Sequence, residues 1–326
     1  MPPRRARSSG YLRFAVRQLL SALFVLLLLS IITFLMIRLI PGDPLAGYYD
    51  TNGVPSEHKI AELRAQLGLD RPWFVQYFQW IGGVLVGDFG TSLTSPFDVG
   101  SQIARRLPYS FELALIATVL AIAIGIPLGA IAGANQDRLP DVAVRIPAFA
   151  VLSMPEFLIA LIVVLVNSVT ARYQLIGAVP FAEDPLTNLR LMLTPALLLA
   201  LPFAALISRY LRAGIIDDLE RPYVRTLRAK GLSRSRIIFG HSLRNSLIPV
   251  VTVIGVGLAG LIGGTVVIEN VFSIPGMGQL LIESISRSDY PSVQGAVLVI
   301  GCVYLALNLV VDLVYPLIDP RARAAA

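Results

Sequence analysis

Six stretches of the chain are apolar for long enough to cross a bilayer. They lie at 16–37, 111–134, 144–169, 191–211, 247–267 and 293–317, each close to the ~20 residues a helix needs to traverse about 30 Å of hydrocarbon. The first is uncharged between Arg17 and Arg38. It lacks the shorter apolar core and small-residue cleavage site of a signal peptide, so it is expected to stay as a helix. The pattern predicts an all-α polytopic membrane protein with six transmembrane helices. Around them it lays out a tail at 1–15, the first helix at 16–37, a helical insertion at 38–108, a five-helix core at 109–318 and a tail at 319–326. Within the core run a polar loop at 212–246 and a second loop at 269–292.

The insertion starts with a helix-breaking Pro41-Gly42-Asp43-Pro44. From Glu57, apolar Ile60, Leu63 and Leu67 recur at helical spacing. A second helix is expected from Asp70 and Pro72, with Trp73, Phe74, Tyr77, Trp80, Ile81 and Val84 on one side. Both tryptophans of the chain are here, which suits a helix lying at headgroup level. The loop at 269–292 has turn formers from Ser273 to Gly278, then a short helix through Leu280, Leu281 and Ile285.

Residues 221–249 are unlike their surroundings. Nine Arg or Lys residues fall between Arg209 and Asn245, against three acids, Asp217, Asp218 and Glu220. The segment reads as two short helices and a turn. The three carboxylates favour a helix N-terminus and Pro222 suits a first helical position. Tyr223, Val224 and Leu227 share one face, and Arg221, Arg225 and Arg228 another. Gly231 can supply the left-handed stop, and Ser233 can cap a second helix carrying Ile237 and Ile238. Such a helix between two spans is suited to a groove on a partner. The plainer alternative is a basic loop that only fixes topology and touches lipid headgroups.

Composition sharpens this picture. Hydrophobic residues make up 55% and charged residues 15%, below the roughly 25% charged of a soluble domain, and the mean hydropathy is +0.71. The net charge of +6 sits in particular loops and gives no nucleic-acid signal. With the N-terminus inside, eighteen basic residues fall on the inner segments and nine on the outer ones. The positive-inside rule then places both termini and the 212–246 loop in the cytoplasm. Cys302 is the single cysteine, inside an apolar run, so neither a disulfide nor a thiolate metal site is expected. His58 and His241 fall in loops assigned to opposite sides, which argues against a metal pair.

Several positions inside the spans carry candidate roles. Gly125, Gly129 and Gly133 stand four apart, a doubled small-xxx-small face for close helix contact, with Pro127 expected to kink the helix. Gly255-x-Gly257-x-x-Gly260 matches a dinucleotide fingerprint as a string. It follows no strand, so helix packing, continued by Gly260 and Gly264, is the better account. Glu156 falls about twelve residues into the third span, directly after Pro155. An intramembrane carboxylate is a candidate for the substrate pathway or for proton uptake; the alternative is a buried hydrogen bond to a carbonyl freed by Pro155. Asn167 is a second, weaker pathway candidate, with helix contact as its alternative. No G-x-x-x-x-G-K-[ST] string occurs, so no P-loop ATPase is expected in this chain.

Tyr223-Val224-Arg225-Thr226, Arg228-Ala229-Lys230-Gly231-Leu232-Ser233, His241, Leu243-Arg244-Asn245 and Leu247-Ile248-Pro249 resemble the cytoplasmic loop of dipeptide/oligopeptide-type ABC importer permease subunits. In that family the loop is a version of the EAA loop and forms a coupling helix seated in a cleft of the ATPase. The general pattern opens Glu-Ala-Ala, where this chain has Arg225-Thr226-Leu227, and its Leu-x-Pro ending is displaced to Leu247-Ile248-Pro249. Both departures are similar to the peptide branch. Leu67-Gly68-Leu69-Asp70-Arg71-Pro72, Gly87-Asp88-Phe89-Gly90-Thr91-Ser92 and Asp319-Pro320-Arg321 also match it, so the likeness runs from about Pro41 to Arg321.

The resemblance implies a type I importer permease fold and a pore-forming role. It implies ATPase coupling through Tyr223, Val224, Arg225, Thr226, Leu227, Arg228, Ala229, Lys230, Gly231 and Leu232. Phe272, Pro275, Gly276, Gly278 and Asp289 would belong to a loop that meets an external binding protein, with a plain re-entrant cap as the alternative. Partners would be a second, similar permease chain, one or two P-loop ATPase subunits, a substrate-binding (lipo)protein and membrane lipid, in a bacterial plasma membrane. ATP and Mg would be bound by the partner ATPase, with no cofactor on this chain. Di- and oligopeptides lead as substrates; nickel and glutathione permeases share these loops. A different class, a stand-alone proton-coupled carrier or a membrane enzyme using Glu156, lacks any nucleophile–base pair or metal cluster within the spans.

Overall fold

A computed structural model describes residues 4–39, 45, 48, 49, 53, 56–66, 70–170 and 173–318. The expectations for 41–44, 67–69 and 319–321 lie outside these residues. The described elements are α1 (Arg4–Leu39), α2 (Glu57–Gln66), α3 (Trp73–Leu85), α4 (Val99–Ala134), α5 (Leu139–Ser153) and α6 (Glu156–Val169). There follow α7 (Pro185–Leu219), α8 (Pro222–Ala229), α9 (Arg234–Ile237), a π-helical turn (Ile238–Ser242), α10 (Leu243–Phe272), α11 (Met277–Ser286) and α12 (Tyr290–Ile318). The protein is all-α and polytopic. Five of its described helices are long and apolar enough to cross a membrane, or up to seven spans if each of two bent helix pairs is one. The six spans expected from the sequence fall within that range.

The third span departs from the expectation. It is broken into α5 and α6, which meet at 102°. Met154 and Pro155 are extended at the break, since a residue before proline is driven out of the helical region. Pro147, Pro195 and Pro202, by contrast, stay inside α5 and α7.

Two compact units emerge. One is built around Phe111–Ile274 and the end of α12; the other holds Val16–Ser110 and Pro275–Ala306. The cut differs from the expected division at 38 and 108, because the whole first span at 16–37 and most of the 269–292 loop join the insertion.

In the first unit α7 is the central element, with buried residues along most of its length. Its start is fixed by Asp184, whose carboxylate accepts from the amides of Leu186 and Thr187, with Pro185 in the first turn. The Thr187 hydroxyl and amide hold the Asp184 carboxyl below the usual range, as an N-cap should. Against α7 lies the glycine face of α4. A Cβ on Gly125 would stand 2.8 Å from the Ala204 carbonyl oxygen, on Gly129 2.8 Å from that of Ser208, and on Gly133 2.9 Å from Ile215 Cβ. Gly257 faces the Phe203 ring and Gly255 faces Val311. Gly264 packs at Leu199 and Glu156. Gly260, expected to continue this packing face, has nothing near its Cβ position, because the helical turn carries it away from α7.

Asp141, fully buried in the first turn of α5, accepts two bonds from Arg212 on α7, from Nε at 2.6 Å and from the second nitrogen at 2.7 Å. It also accepts from the Asp137 amide. A buried carboxylate is tolerable only when so paired.

In the second unit α3 packs on α1 through aromatic contacts: Phe34 meets Tyr77 edge-on at 5.3 Å and Trp80 at 6.0 Å, and Ser30 bonds the Tyr77 hydroxyl. Trp73, Phe74 and Phe78 remain exposed. Val99, Ile103, Met277, Leu280 and Ala296 form a core. Asp289, 2% exposed, accepts from the hydroxyls of Ser92, Thr94 and Ser292 and from the Leu93 amide, fastening the 91–98 loop to the start of α12.

Gly129→Leu should lower stability by about 1–3 kcal/mol or prevent folding. Gly260→Ala should be neutral or slightly stabilising, since alanine favours helix by roughly 1 kcal/mol; thermal melts in detergent compare them. Asp289→Ala should cost about 1–3 kcal/mol by stranding buried donors, read as faster protease cleavage within 91–98.

Candidate functional site

The α7 helix runs on past its apolar stretch to Leu219. Its last turn carries Asp217 and Asp218, and Glu220 is the C-cap. These acids therefore belong to the end of one helix and not, as the sequence pattern predicts, to the first turn of the next. Asp217 and Glu220 are exposed. Asp218 is 2% exposed and accepts the Tyr223 hydroxyl, with Asn245 Nδ2 at 3.4 Å and Arg221 Nε at 3.5 Å. Asn245 also reaches the Tyr223 oxygen at 3.2 Å. One carboxylate thus ties together the end of α7, the start of α8 and the first turns of α10. Burial and the bond to Asp218 raise the Tyr223 pKa above its ordinary value. The phenol is therefore protonated at neutral pH and able to donate.

Arg221 is extended at the N-cap and Pro222 takes the first helical position. In α8 Val224 is fully buried, Tyr223 and Leu227 are half-buried, and Arg225, Thr226, Arg228, Ala229 and Lys230 are exposed. The helix is seated by one apolar face on its own chain and turns a basic face outward. Gly231 closes it at φ 81°. Its amide bonds the Arg228 carbonyl, and the Leu232 amide bonds the Leu227 carbonyl at 3.2 Å, the paired bonds of a Schellman motif. Leu232 is half-buried.

Ser233 occupies the N-cap position of α9, but its side chain makes no capping bond. Ile237 and Ile238 are buried, and Arg234 reaches the Ala134 carbonyl at 3.1 Å. The π-helical turn then joins α9 to α10. Such turns change the helix register and are frequent at functional sites. Nothing in the sequence singles out this turn or the role of Asp218.

The pathway candidates are placed elsewhere. Glu156 is not mid-helix but the first residue of α6, after the Met154-Pro155 break. It is half-buried, with Oε2 3.1 Å from the Cβ position of Gly264. Among the described residues, the alternative of a bond to a carbonyl freed by Pro155 is not realised. Asn167 is tied locally: its Nδ2 donates to the Tyr173 carbonyl at 2.9 Å, and its Oδ1 accepts from the Tyr173 amide. It closes the turn after α6, which its spacing in the span does not disclose.

Of the residues expected at a binding-protein surface, Phe272, Gly276, Gly278 and Asp289 are buried and Pro275 half-buried. They shape the loop from inside; Ser273, Ile282, Ile285, Ser286 and Arg287 are its exposed residues. Among the described residues no group of three or more His, Cys, Asp or Glu could hold a metal ion.

Two family descriptions cover most of the chain. Residues 125–324 match the binding-protein-dependent transport system inner membrane component, and 11–114 match the N-terminal part of such membrane components. A Brucella ovis protein named as a peptide permease is 39% identical over 96% of this chain and 99% of its own length. A Brucella abortus protein named as a peptide transport system permease is 37% identical over 94% of this chain and 98% of its own. The dipeptide transport system permease protein DppB of Escherichia coli K12 is 35% identical over 96% and 99%. With an all-α membrane fold, a seated basic helix between two spans and these matches across both parts, the chain belongs to the family of binding-protein-dependent transport system inner membrane components.

Proposed function

We propose that this chain is the pore-forming permease subunit of an ATP-driven importer of di- and oligopeptides, and that residues 223–232 are its coupling helix. The observation that carries the reading is the seat of α8. Val224 and Tyr223 are fixed on the chain itself by burial and by Asp218, while Arg225, Thr226, Arg228, Ala229 and Lys230 are left for a partner. A helix held this firmly can pass a push from its outer face to α7 and α10 without being displaced. Peptides as cargo rest on the names of the relatives.

The partners follow from the same reading. One or two separate ATPase subunits bind ATP and Mg and close against α8. A second, similar permease chain completes a pathway of which this chain supplies half. An external binding protein delivers the peptide and meets the loop that Phe272, Pro275, Gly276, Gly278 and Asp289 hold in shape. Both termini and α8 lie on the cytoplasmic side, as the distribution of basic residues supports. Glu156, at the broken third span, borders the pathway.

Gly231→Val should leave the amount of chain in the membrane within about twofold, since a non-glycine residue at this φ costs only about 1–2 kcal/mol. It should reduce uptake of a labelled dipeptide by the assembled importer at least tenfold. Unchanged uptake would remove the coupling role. In a Cys302→Ser background, Ser235→Cys should react with an impermeant maleimide only in inside-out vesicles; labelling of right-side-out vesicles would reverse the orientation. Dipeptide movement by the chain reconstituted alone, driven by a pH gradient and abolished by Glu156→Gln, would instead establish a proton-coupled carrier.

A further inference from the structure

Beside α5 and α7 lies a cavity of about 320 Å³, whose lining includes Arg145, Arg209, Arg212, Ser208, Phe149 and Leu152. Five of its nine lining side chains are apolar and three are arginines. Arg212 is committed to the buried Asp141 by two bonds. Arg145 and Arg209 are exposed and have no hydrogen bond or ion pair among the described residues. Three guanidinium groups stand against two carboxylates, Asp141, on which Arg145 also acts, and Asp137, which acts on Arg212, and leave the site with an excess of about one positive charge. Phe149, 52% exposed, and Leu152, 37% exposed, extend the cavity as an apolar wall.

The depth is informative. The apolar stretch of α7 ends at Leu211, so Arg209 and Arg212 lie at the margin of the hydrocarbon on the side that carries α8. An occupant must offer a negative group at the arginines and an apolar body along α5. A free carboxylate or phosphate would meet only the first requirement.

We infer that this cavity holds an anionic phospholipid, its phosphate between Arg145 and Arg209 and an acyl chain along Phe149 and Leu152. The volume falls at the lower end of small-molecule sites, enough for a headgroup and the first part of a chain. Guanidinium groups suit phosphate oxygens through paired N–H donors, and basic pockets at the cytoplasmic margin of helix bundles are suited to such headgroups. The bound lipid would neutralise the excess charge and fill the groove between α5 and α7. The inference rests on the orientation proposed above only for which leaflet supplies the lipid.

The test needs neither ATP nor peptide, so its failure is separate from failure of the transport reading. The full-length chain in detergent is titrated with dioleoyl phosphatidylglycerol or dioleoyl phosphatidylcholine, and bound lipid is counted by native mass spectrometry. Phosphatidylglycerol should bind in preference. Arg145→Gln with Arg209→Gln should weaken it about twenty-five-fold, at roughly fivefold per basic residue, and leave phosphatidylcholine unchanged. Arg145→Lys with Arg209→Lys should retain most of the binding. Should the glutamine pair fail to fold, a photoreactive phosphatidylglycerol on the unsubstituted chain should crosslink within 139–153 or 205–212. Equal binding of both lipids, equal binding by parent and glutamine variant, or crosslinks confined elsewhere would overturn the assignment. Release of phosphatidylglycerol by millimolar inorganic phosphate would reassign the cavity to a free anion and overturn it as well.

Discussion

Inside hydrocarbon, apolar side chains gain nothing by leaving lipid for protein, so helices are held together by the closeness of their packing. The contact of α4 with α7 meets this constraint. Without side chains at Gly125, Gly129 and Gly133, the backbone of α4 lies where any Cβ would stand about 2.8–2.9 Å from Ala204, Ser208 and Ile215. The contact is a dense column of small dispersion terms, repeated every turn. It fixes α7, and the other elements of its unit are placed by reference to α7. Asp141 bonds Arg212, Phe203 fills the space left by Gly257, Leu199 meets Gly264, and Ser246 approaches Gly214.

The length of α7 bears on the coupling role proposed above. Its 35 residues extend about 52 Å at 1.5 Å per residue, against about 30 Å of hydrocarbon. The surplus turns carry Asp218 to the point where α8 and α10 begin. On the coupling role proposed for α8, a rigid rod clamped along its C-terminal half by the glycine column, and joined at its end to the seat of α8, would transmit displacement with little loss. Were α8 joined only by flexible backbone, a push on Arg225 or Arg228 would be absorbed in the linker. The Asp218–Tyr223–Asn245 bonds and the buried Val224 close that route.

Part of this was legible because it depends on local spacing. Glycines at intervals of four mark a helix face wherever the helix lies, and Gly231 after a basic turn marks a left-handed stop. Asp218 was not legible. Three carboxylates before Pro222 suit the start of a helix as well as the end of one, and only the true end of α7 decides between them. Prolines were equally ambiguous: Pro195 and Pro202 are accommodated within α7, while Pro155 accompanies a 102° break. Gly260 shares its spacing with packed glycines but points to open space, since spacing gives a face and not the neighbour on it. Asp289 reads as a polar residue in an outer loop. Its burial depends on Ser92, Leu93 and Thr94, almost two hundred positions earlier.

The broken third span extends the same reasoning beyond a single chain. At Ser153, Met154 and Pro155 the helical bonding lapses, and all three residues are exposed. Irregular backbone at membrane depth is tolerated only where protein covers it or water reaches it. Glu156 adds a half-buried carboxylate at the same point, which is equally costly against lipid. Neither feature is stable facing acyl chains, so the surface around the break has to meet another protein surface or a water-filled path. The exposed arginines next to α5 impose a related demand closer to the membrane margin, where a phosphate can answer it. Two faces of the same short helix pair thus have unlike requirements: one for an anionic, partly apolar occupant, and one for a polar or protein environment that the described residues do not provide.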